Sequence, residues 1–508
     1  MTLFSNADRA TMGLIVEPGE YKPDKVLFSK GFNGFLVIFF HLSCSSKAVV
    51  PTKKNILMII VDDMRPEIHS WGNSIAVTPN IDKLVKKGVS FKRAYAQYAN
   101  CSPSRMSFLT GLSPERLGHK GNYNDKSQFQ SHVTLPGYLK KHGYKTYSFG
   151  KVYHDIRDDS LSWDYIYDIE WINGDLQWES YGLPNNQILE KAERPATEKE
   201  HLPLGNYNDY HISESLEKHL EKNKEDLFFY AVGFRKPHLP FVAPKKFWEL
   251  YNSSEIQVSD YDTAPIDGDT IVYQWSELAA YKGYSENYFD TNYRNKKVMN
   301  KDAKELIHGY MASISFIDSL VGRIIGKLEK LDLDEDTIIV LMSDHGFHLG
   351  DQQIWGKHSS YEKSTHTPLI IVDPSNPNSG QCMNFVELLD IYPTLIELNG
   401  IEENPALDGK SLAIFVKEPS LKSPRMAFSQ YQTFQKDRSF SNYMAYAVYT
   451  KDFNYIEWQD LANNRNVVQK ELYQMDQVRA EITNLSEHPR YSMLQHALSS
   501  KIKKNFNL

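Results

Sequence analysis

The sequence contains little cysteine. Three cysteines, Cys44, Cys101 and Cys382, are spread over 508 residues, which excludes the disulfide framework of small secreted domains. Cysteine usage therefore does not identify the redox compartment in which the protein folds. An isolated cysteine is more often an inert buried side chain than a reactive one, so chemistry at these positions has to be argued from the neighbouring residues.

Basic residues are fewer than acidic residues. The chain carries 57 Lys and Arg residues against 64 Asp and Glu residues, which gives a formal net charge of -7. This balance lacks the basic footprint of nucleic-acid-binding proteins, and we expect no nucleic-acid partner. An acidic protein that binds an anionic substrate has to concentrate its cations at the binding site.

The apolar segment near the beginning of the chain is short. Gly34–Leu42 (GFLVIFFHL) cannot cross a bilayer. With Lys25 and Lys30 before it and small residues after it, the segment resembles the core of a signal peptide. The residues leading to Cys44 resemble a bacterial lipoprotein cleavage site. We therefore predict that residues 1–50 form an export region and that the protein reaches the bacterial periplasm or is secreted, with a lipid anchor at Cys44 as its only membrane attachment.

Buried strands alternate with helices along most of the chain. Continuous apolar runs are typical of strands that are buried on both faces of a parallel sheet. Such runs occur at Asn55–Val61, Leu227–Phe234, Thr337–Met342 and Leu369–Val372, and further strands are predicted at Val89–Tyr95 and Tyr144–Phe149. Helices are predicted at Asn80–Lys87, Leu135–His142 and Lys304–Lys330. The alternation predicts an α/β sandwich with a large, mostly parallel central sheet flanked by helices.

The pattern changes beyond about residue 419. Short alternating segments at Tyr443–Tyr449 and Phe453–Trp458 predict a small antiparallel sheet, and a terminal helix follows. We therefore divide the globular part into an α/β domain at 51–419 and a C-terminal subdomain at 420–508.

Two polar stretches interrupt the α/β pattern. Residues 155–225 and 254–300 are rich in Tyr, Asn and Asp and are weakly periodic. Long loops of this kind shape a substrate cleft or are insertions, and both alternatives stay open.

Two acidic clusters follow buried strands. Asp62 and Asp63 come directly after the first strand, and Asp344 and His345 come directly after Thr337–Met342. An aspartate pair alone would serve equally well to cap a turn. Because ligands gather at the carboxyl ends of strands in α/β sheets, the two clusters together predict a shared metal site. The predominance of carboxylates favours Ca²⁺ over Zn²⁺.

The segment Cys101–Gly111 (CSPSRMSFLTG) combines a thiol, hydroxyls and a guanidinium. A cysteine that opens a helix lies where backbone N–H groups favour an anion, and Arg105 one turn later faces the same way. The segment is therefore a candidate anion-handling nucleophile site, although a buried cysteine at a turn is the more common outcome for such a residue on its own.

Further cations follow other strand ends. Lys151 and His154 come after Tyr144–Phe149, His238 lies in a proline-rich loop, and Lys357 follows the second acidic cluster. Each alone is more often a solvated side chain. Their shared placement past strand ends makes them candidate site residues.

These strings resemble the type I, formylglycine-dependent sulfatase family. Cys101–Gly111 matches its pattern Cys-x-Pro-Ser-Arg-x-x-x-Leu-Thr-Gly at every fixed position. The other shared strings are Ile60–Pro66, Pro79–Asp82, Gly150–Val152 with His154, Lys236–His238 with Pro240 and Phe241, Ser343–Gly346, Thr365–Leu369 and Glu471–Gln474. The resemblance runs from about Pro51 to Glu487 and is strongest to the iduronate-2-sulfatase branch, which shares a histidine at the position of His345 where many relatives have asparagine.

The resemblance implies an alkaline-phosphatase-like fold in which Cys101 is oxidised to formylglycine (3-oxoalanine) by a formylglycine-generating or sulfatase-maturing enzyme. It implies one Ca²⁺ bound by Asp62, Asp63, Asp344, His345 and residue 101. The hydrated aldehyde would attack sulfur with Asp344 as base, and Arg105, Lys151 and Lys357 would hold the sulfate. His238 or His154 would protonate the leaving sugar oxygen, and the choice between them stays open.

The implied substrate is a sulfated polysaccharide or oligosaccharide. A uronate-containing glycan such as ulvan or a glycosaminoglycan fits the nearest branch, and carrageenan is a further candidate. The main alternative is a phosphate or phosphonate ester hydrolase on the same fold, although two-zinc phosphatases need more histidine ligands and a Ser or Thr nucleophile. A catalytically dead glycan-binding homologue and a cytosolic metal-dependent isomerase are weaker alternatives, since every catalytic position is filled and an export signal is predicted.

Overall fold

A computed structural model of the chain describes residues 53–118, 132–155, 159–167, 181–273, 276–284, 298–434, 440–475 and 481–508. The predicted export region and Cys44 lie outside these residues. Within the described ranges, no helix has the length and apolar character that crossing a bilayer requires.

The strands and helices follow one another in the predicted α/β order. The strands are β1 (Asn55–Val61), β2 (Val89–Tyr95), β3 (Lys145–Gly150), β4 (Tyr165–Tyr167), β5 (Thr197–Glu200), β6 (Phe228–Phe234), β7 (Phe241–Pro244), β8 (Thr337–Ser343), β9 (His348–Leu349), β10 (Trp355–Gly356), β11 (His366–Thr367), β12 (Leu369–Val372), β13 (Gly380–Glu387), β14 (Ala427–Phe434), β15 (Phe440–Tyr449), β16 (Phe453–Asp460) and β17 (Asn466–Gln474). The helices are α1 (Pro79–Lys87), α2 (Cys101–Thr110), α3 (Leu135–Lys141), α4 (Pro184–Gln187), α5 (Asn208–Lys222), α6 (Lys245–Trp248), α7 (Asn300–Lys330), α8 (Glu362–Thr365), α9 (Ile391–Leu398), α10 (Ala413–Lys417) and α11 (Ser492–Phe506).

A nine-stranded mixed sheet forms the centre of the fold. Its order is β11-β2-β12-β8-β1-β6-β3-β4, and β13 pairs with β2. β1 is parallel to both of its neighbours, β6 and β8, whereas β12 is antiparallel to β2 and β8. The predicted large, mostly parallel sheet is confirmed.

Both faces of this sheet are buried. In β1, Leu57, Ile59 and Val61 belong to one hydrophobic cluster, which includes residues of α1, α5 and α7. The alternating residues Ile56, Met58 and Ile60 belong to the opposite cluster, which includes residues of α2, α3 and α9. The strand has to be apolar at every position because helices cover both faces, and this produces the uninterrupted apolar run in the sequence.

The helix α5 lies inside a stretch that the sequence predicts as a long loop. It buries Ile212, Leu216 and Leu220, which are spaced by four residues and form one stripe. Only this narrow stripe is apolar, so the surrounding polar residues conceal the helical period.

A four-stranded antiparallel sheet, β14-β15-β16-β17, follows the large sheet in the chain. Helix α11 contributes Leu498, Ile502 and Phe506 to the hydrophobic cluster on one of its faces. The predicted small antiparallel sheet with a terminal helix is confirmed. The domain boundary near residue 419 stays a prediction.

Candidate active site

The two acidic clusters lie side by side at one edge of the large sheet. In the parallel register of β1 and β8, Val61 is the partner of Ser343, so the residues that follow each strand emerge together. Asp62, Asp63, Asp344 and His345 are all fully buried. The structure therefore brings together the four predicted metal ligands from the two strand ends.

The turn after β1 holds Asp63 in an unusual backbone conformation. Its φ of 61° is left-handed, a region that non-glycine residues occupy at a cost when their surroundings hold them there. The backbone N–H of Asp63 donates to Asp344 Oδ1 at 3.2 Å. The Tyr310 hydroxyl, from α7, donates to the Asp63 carbonyl at 2.7 Å and accepts from the Arg65 N–H at 2.8 Å. Tyr310 thus fixes the turn that presents Asp63.

Cys101 is the first residue of α2, as the sequence predicts, and it is buried beside the acidic clusters. Its Sγ lies 3.3 Å from His345 Nε2 and 3.6 Å from Lys151 Nζ. Potential ligand atoms of Asp62, Cys101, Asp344 and His345 all lie within 4.8 Å of one another. A second group combines Asp62 and Cys101 with Asp63 and His238 under the same limit.

Arg105 is turned toward the carboxylates. Its Nε donates to Asp344 Oδ2 at 2.9 Å, and its Nη2 donates to Asp62 Oδ1 at 3.0 Å. Nη1 donates to the carbonyls of Lys151 and Val152. The side chain is 0% exposed, so its donors join the two acidic clusters to the segment after β3.

Lys151 reaches the same centre from the end of β3. Its Nζ hydrogen-bonds Asp62 Oδ2. The close approach requires glycine at two positions: Gly150 has a φ of 69°, and a Cβ on Gly233 would lie 1.8 Å from the Lys151 carbonyl oxygen. These two glycines allow the backbone of Lys151 to pass over β6.

Lys357 follows β10 and completes the set of three buried cations. Its Nζ donates to Asp63 Oδ1 at 2.9 Å and lies 2.9 Å from Glu277 Oε1. Glu277 is a site residue that sequence reasoning missed. It lies in the second polar stretch, where neither a motif nor a period marks it.

The two candidate acids differ in placement. His238 Nδ1 lies 2.6 Å from the Leu239 carbonyl oxygen, to which it donates its proton. His238 Nε2 lies 3.9 Å from Asp63 Oδ2 and 3.8 Å from Glu277 Oε1, and its side chain is 14% exposed. His154 is exposed. His238 therefore lies inside the cluster with a face toward its opening, and His154 lies at the rim.

Burial and neighbouring charges shift the pKa values of the site's carboxylates in different directions. Burial opposes ionisation of Asp62, but Lys151 and Arg105 hold its pKa well below the ordinary value. Burial raises the pKa of Asp63 well above the ordinary value, and the neighbouring charge of Asp62 adds to this, against the opposing charge of Lys357. The site holds more buried carboxylate than its own cations can stabilise. A divalent cation would supply the missing positive charge, and the oxygen-rich donor set fits one.

The remaining groups are also strongly perturbed. Burial and then the charge of Asp62 raise the pKa of the Cys101 thiol well above its ordinary value, so the thiol is protonated. Burial and the charge of Lys357 lower the pKa of His238 well below its ordinary value. The His238 imidazole is therefore neutral.

Two family models match most of the chain. Residues 54–401 match the family model described as Sulfatase, and residues 350–507 match the one described as N-sulphoglucosamine sulphohydrolase, C-terminal. Iduronate 2-sulfatase of Homo sapiens is 30% identical and covers 83% of this chain and 89% of its own length.

Two solved structures share the fold at 20% identity. A phosphonate monoester hydrolase from Silicibacter pomeroyi has a TM-score of 0.70 and covers 89% of this chain and 95% of its own. A protein in complex with its substrate D-glucosamine-2-N,6-O-disulfate has a TM-score of 0.69 and covers 90% and 98%. At this identity the two structures support only a shared fold. The family assignment rests on the Sulfatase family model, which matches residues 54–401. The chain belongs to the sulfatase family of sulfuric ester hydrolases.

Proposed function

We propose that the protein hydrolyses sulfate esters on a carbohydrate and releases inorganic sulfate, with residue 101 as the nucleophile after conversion to formylglycine. The observation that carries this proposal is the position of Cys101. It opens a buried helix, and its sulfur lies within 3.6 Å of both Lys151 Nζ and His345 Nε2, beside three buried aspartates.

The state of the thiol supports the conversion. A cysteine nucleophile acts as a thiolate, yet the pKa of Cys101 is raised by burial and by the charge of Asp62. An unmodified thiol would therefore be a poor nucleophile here. Formylglycine would supply a hydrated aldehyde in its place, and a separate maturing enzyme is the partner that this chemistry requires.

Asp62, Asp63, Asp344 and His345 are the residues that we propose to hold the metal ion together with residue 101. Ca²⁺ fits them because three of the four side chains offer carboxylate oxygens. The ion would supply Lewis-acid activation of the nucleophile. Arg105 holds Asp62 and Asp344 in place through its own hydrogen bonds, which we propose as its role instead of direct sulfate binding.

Lys151 and Lys357 are proposed to bind the sulfate oxygens. Each ammonium is buried and pairs with one carboxylate of the metal group, and Lys151 Nζ also lies 3.6 Å from Cys101 Sγ. Buried charges of this kind stabilise negative charge on the transferring group much better than solvated charges do.

His238 is proposed to protonate the sugar oxygen that leaves sulfur. Its Nε2 faces Asp63 and Glu277, and its side chain retains a partly exposed face. The arrival of an anionic sulfate would add negative charge beside the ring and raise its pKa toward the range of a useful acid. His154, at the rim, is proposed to contact the substrate.

The substrate class rests on the relatives. The named relatives include iduronate 2-sulfatase, and a neighbour in fold was solved with a sulfated glucosamine. We propose a sulfated glycan, with uronate-containing chains such as ulvan or glycosaminoglycans as the first candidates, and export to the periplasm on the basis of the predicted signal segment.

A panel assay tests the function. Protein produced together with a maturing enzyme is incubated with defined sulfated oligosaccharides, an aryl sulfate and a phosphonate monoester, and released sulfate or phosphonate is quantified. Sulfate release from a subset of the oligosaccharides is expected. Preferential hydrolysis of the phosphonate monoester would contradict the proposal and favour the phosphonate hydrolase alternative.

A further inference from the structure

Glu277 is the one carboxylate in this cluster of described residues that belongs to neither group of potential metal ligands. Its Oε1 lies 2.9 Å from Lys357 Nζ and 3.8 Å from His238 Nε2. These are the two residues to which the proposed function assigns sulfate binding and leaving-group protonation. Glu277 Oε1 therefore forms an ion pair with Lys357 and lies near His238 Nε2, beyond hydrogen-bond distance.

The position of Glu277 is built into the fold. Residues 277–280 form a short 3-10 helix whose Leu278 and Ala279 are buried in the core. The Ser276 hydroxyl donates to the Trp355 carbonyl at 2.9 Å. A Cβ on Gly356, which has a φ of 146°, would lie 3.6 Å from the backbone nitrogen of Glu277. The helix thus packs against β10, the strand that leads directly to Lys357.

The hydrogen bonds of Glu277 differ from those of a structural carboxylate. Asp318, for comparison, accepts hydrogen bonds from two consecutive backbone N–H groups at the start of α1. In the part of the chain that the structure describes, Glu277 Oε2 is buried without a hydrogen-bond partner. The carboxylate is oriented toward the site's own cation and not toward backbone donors.

Lys357 pairs with more carboxylates than Lys151 does. Lys151 Nζ pairs with Asp62, whereas Lys357 Nζ pairs with both Asp63 and Glu277. The oxygens of Asp63 are also proposed for the metal, so a second anion is needed to hold Lys357 away from them. Glu277 can supply it because the charge of Lys357 keeps its pKa well below the ordinary value despite its burial.

We propose that Glu277 is a positioning residue of the sulfatase site, which holds Lys357 and His238 in register for sulfate binding and leaving-group protonation. The proposal rests on the proposed function of the site. Without the charge of Glu277, Lys357 would turn toward Asp63, and His238 would lose one of the two carboxylates that face its Nε2.

The test compares Glu277→Gln with Glu217→Gln. Glu217 forms an ion pair with Arg323, at 2.7 Å, between α5 and α7, so its substitution also removes one charged partner but far from the site. Glu277→Gln is expected to lower kcat by about tenfold or more relative to Glu217→Gln. The two variants are expected to have similar melting temperatures. The dissociation constant of inorganic sulfate from Glu277→Gln, measured by isothermal titration calorimetry, should increase, because Lys357 is then no longer held in register for sulfate binding.

A double-mutant cycle tests whether Glu277 acts through Lys357. If Glu277 acts through Lys357, then Glu277→Gln should change kcat less in the Lys357→Ala background than in the wild type. A kcat of Glu277→Gln within about twofold of the wild type would overturn the proposal, as would sulfate binding as tight as in the wild type. All variants are assayed on an ester that the wild type hydrolyses. If the sulfatase assignment is wrong, the wild type itself does not release sulfate, whereas if only the proposed role of Glu277 is wrong, the wild type does so and the variants do not show the expected losses. The calorimetric arm requires no turnover.

Discussion

At the scale of single residues, the proposed mechanism assigns sulfate binding and protonation of the leaving sugar to different groups. Lys151 and Lys357 are buried ammonium groups beside residue 101, and both remain protonated because the carboxylates around them offset the desolvation that burial imposes. Their positive charge is therefore available to every sulfate ester, whatever the alcohol. His238 has a different position, with a partly exposed face at the opening.

Replacing either lysine should weaken the reaction on all substrates alike. Lys151→Ala and Lys357→Ala each remove a charge that contacts the transferring group, so we expect a loss of about 2–4 kcal/mol of transition-state stabilisation. The measurement is kcat/KM on a sugar sulfate and on an activated aryl sulfate. Lys87→Ala is the control because Lys87 pairs with Glu329 on the surface. A loss confined to one of the two substrates would contradict the role in sulfate binding.

The substitution His238→Ala should discriminate between substrates. A general acid matters most when the leaving group is poor, so the rate on a sugar sulfate should fall far more than the rate on an aryl sulfate. Steady-state kinetics on both substrates measures this difference. Equal losses on the two would make His238 a binding residue and leave His154 as the candidate acid.

At the scale of secondary-structure elements, the contacts between α7 and α1 place Asp318 in a buried position. Asp318, on α7, accepts from the backbone N–H groups of Asn80 at 3.0 Å and Ile81 at 2.8 Å. These donors are among those at the start of α1 that have no partner within the helix. Burial nevertheless raises the pKa of Asp318 to about 6.

This raised pKa predicts a pH-dependent stability. The folded state holds the proton more tightly than the unfolded state, so the contribution of Asp318 is fully present below about pH 4 and is lost as the pH rises through about 6. Relative to Asp318→Asn, the wild type should lose up to about 3 kcal/mol of unfolding free energy between pH 4 and pH 7. Urea denaturation of both proteins at each pH measures the difference, and a constant difference across this range would contradict the shift.

The strands that are buried on both faces were the easiest to predict from sequence, because nearly all of their residues have to be apolar. Asn55–Val61 and Leu369–Val372 have the bounds predicted from their apolar runs. β13 was missed because its exposed residues, including Met383, alternate with buried ones such as Cys382 at a sheet edge. α7 begins at Asn300, four residues before the predicted start, since its first turn is polar and lacks a capping signal.

The candidate site was predictable to the extent that its residues follow strands. The register of β1 and β8 brings the acidic clusters together, which strand-end placement alone predicts. The inward orientation of Arg105 and the presence of Glu277 depend on how segments distant in sequence approach each other. No local pattern carries that information.

At the scale of the whole molecule, the candidate metal site joins separate parts of the chain. Its residues come from the ends of β1 and β8 and from the start of α2, so only the folded protein brings them together. A ligand that binds the native state alone stabilises it in proportion to its saturation.

Removal of the metal should therefore lower both activity and stability. After dialysis against a chelator, we expect a lower melting temperature that Ca²⁺ restores, with about 2.7 kcal/mol of stabilisation at a hundredfold excess over the dissociation constant. Asp63→Asn should abolish this Ca²⁺ response, because it removes one of the proposed carboxylate ligands. Differential scanning calorimetry of both proteins provides the measurement. A pair of tightly bound zinc ions would contradict the single-calcium site.

The central claim is that residue 101 acts as formylglycine in sulfate ester hydrolysis, and one paired measurement tests it directly. Peptide mass spectrometry gives the fraction of chains in which Cys101 has been converted to the aldehyde, and sulfate release from a sulfated sugar is measured on the same preparations, made with graded amounts of maturing enzyme. The account predicts that activity rises in proportion to the converted fraction and is absent in Cys101→Ala, which should keep the wild-type fold by circular dichroism. Full activity from protein whose Cys101 is entirely an unmodified thiol would contradict it.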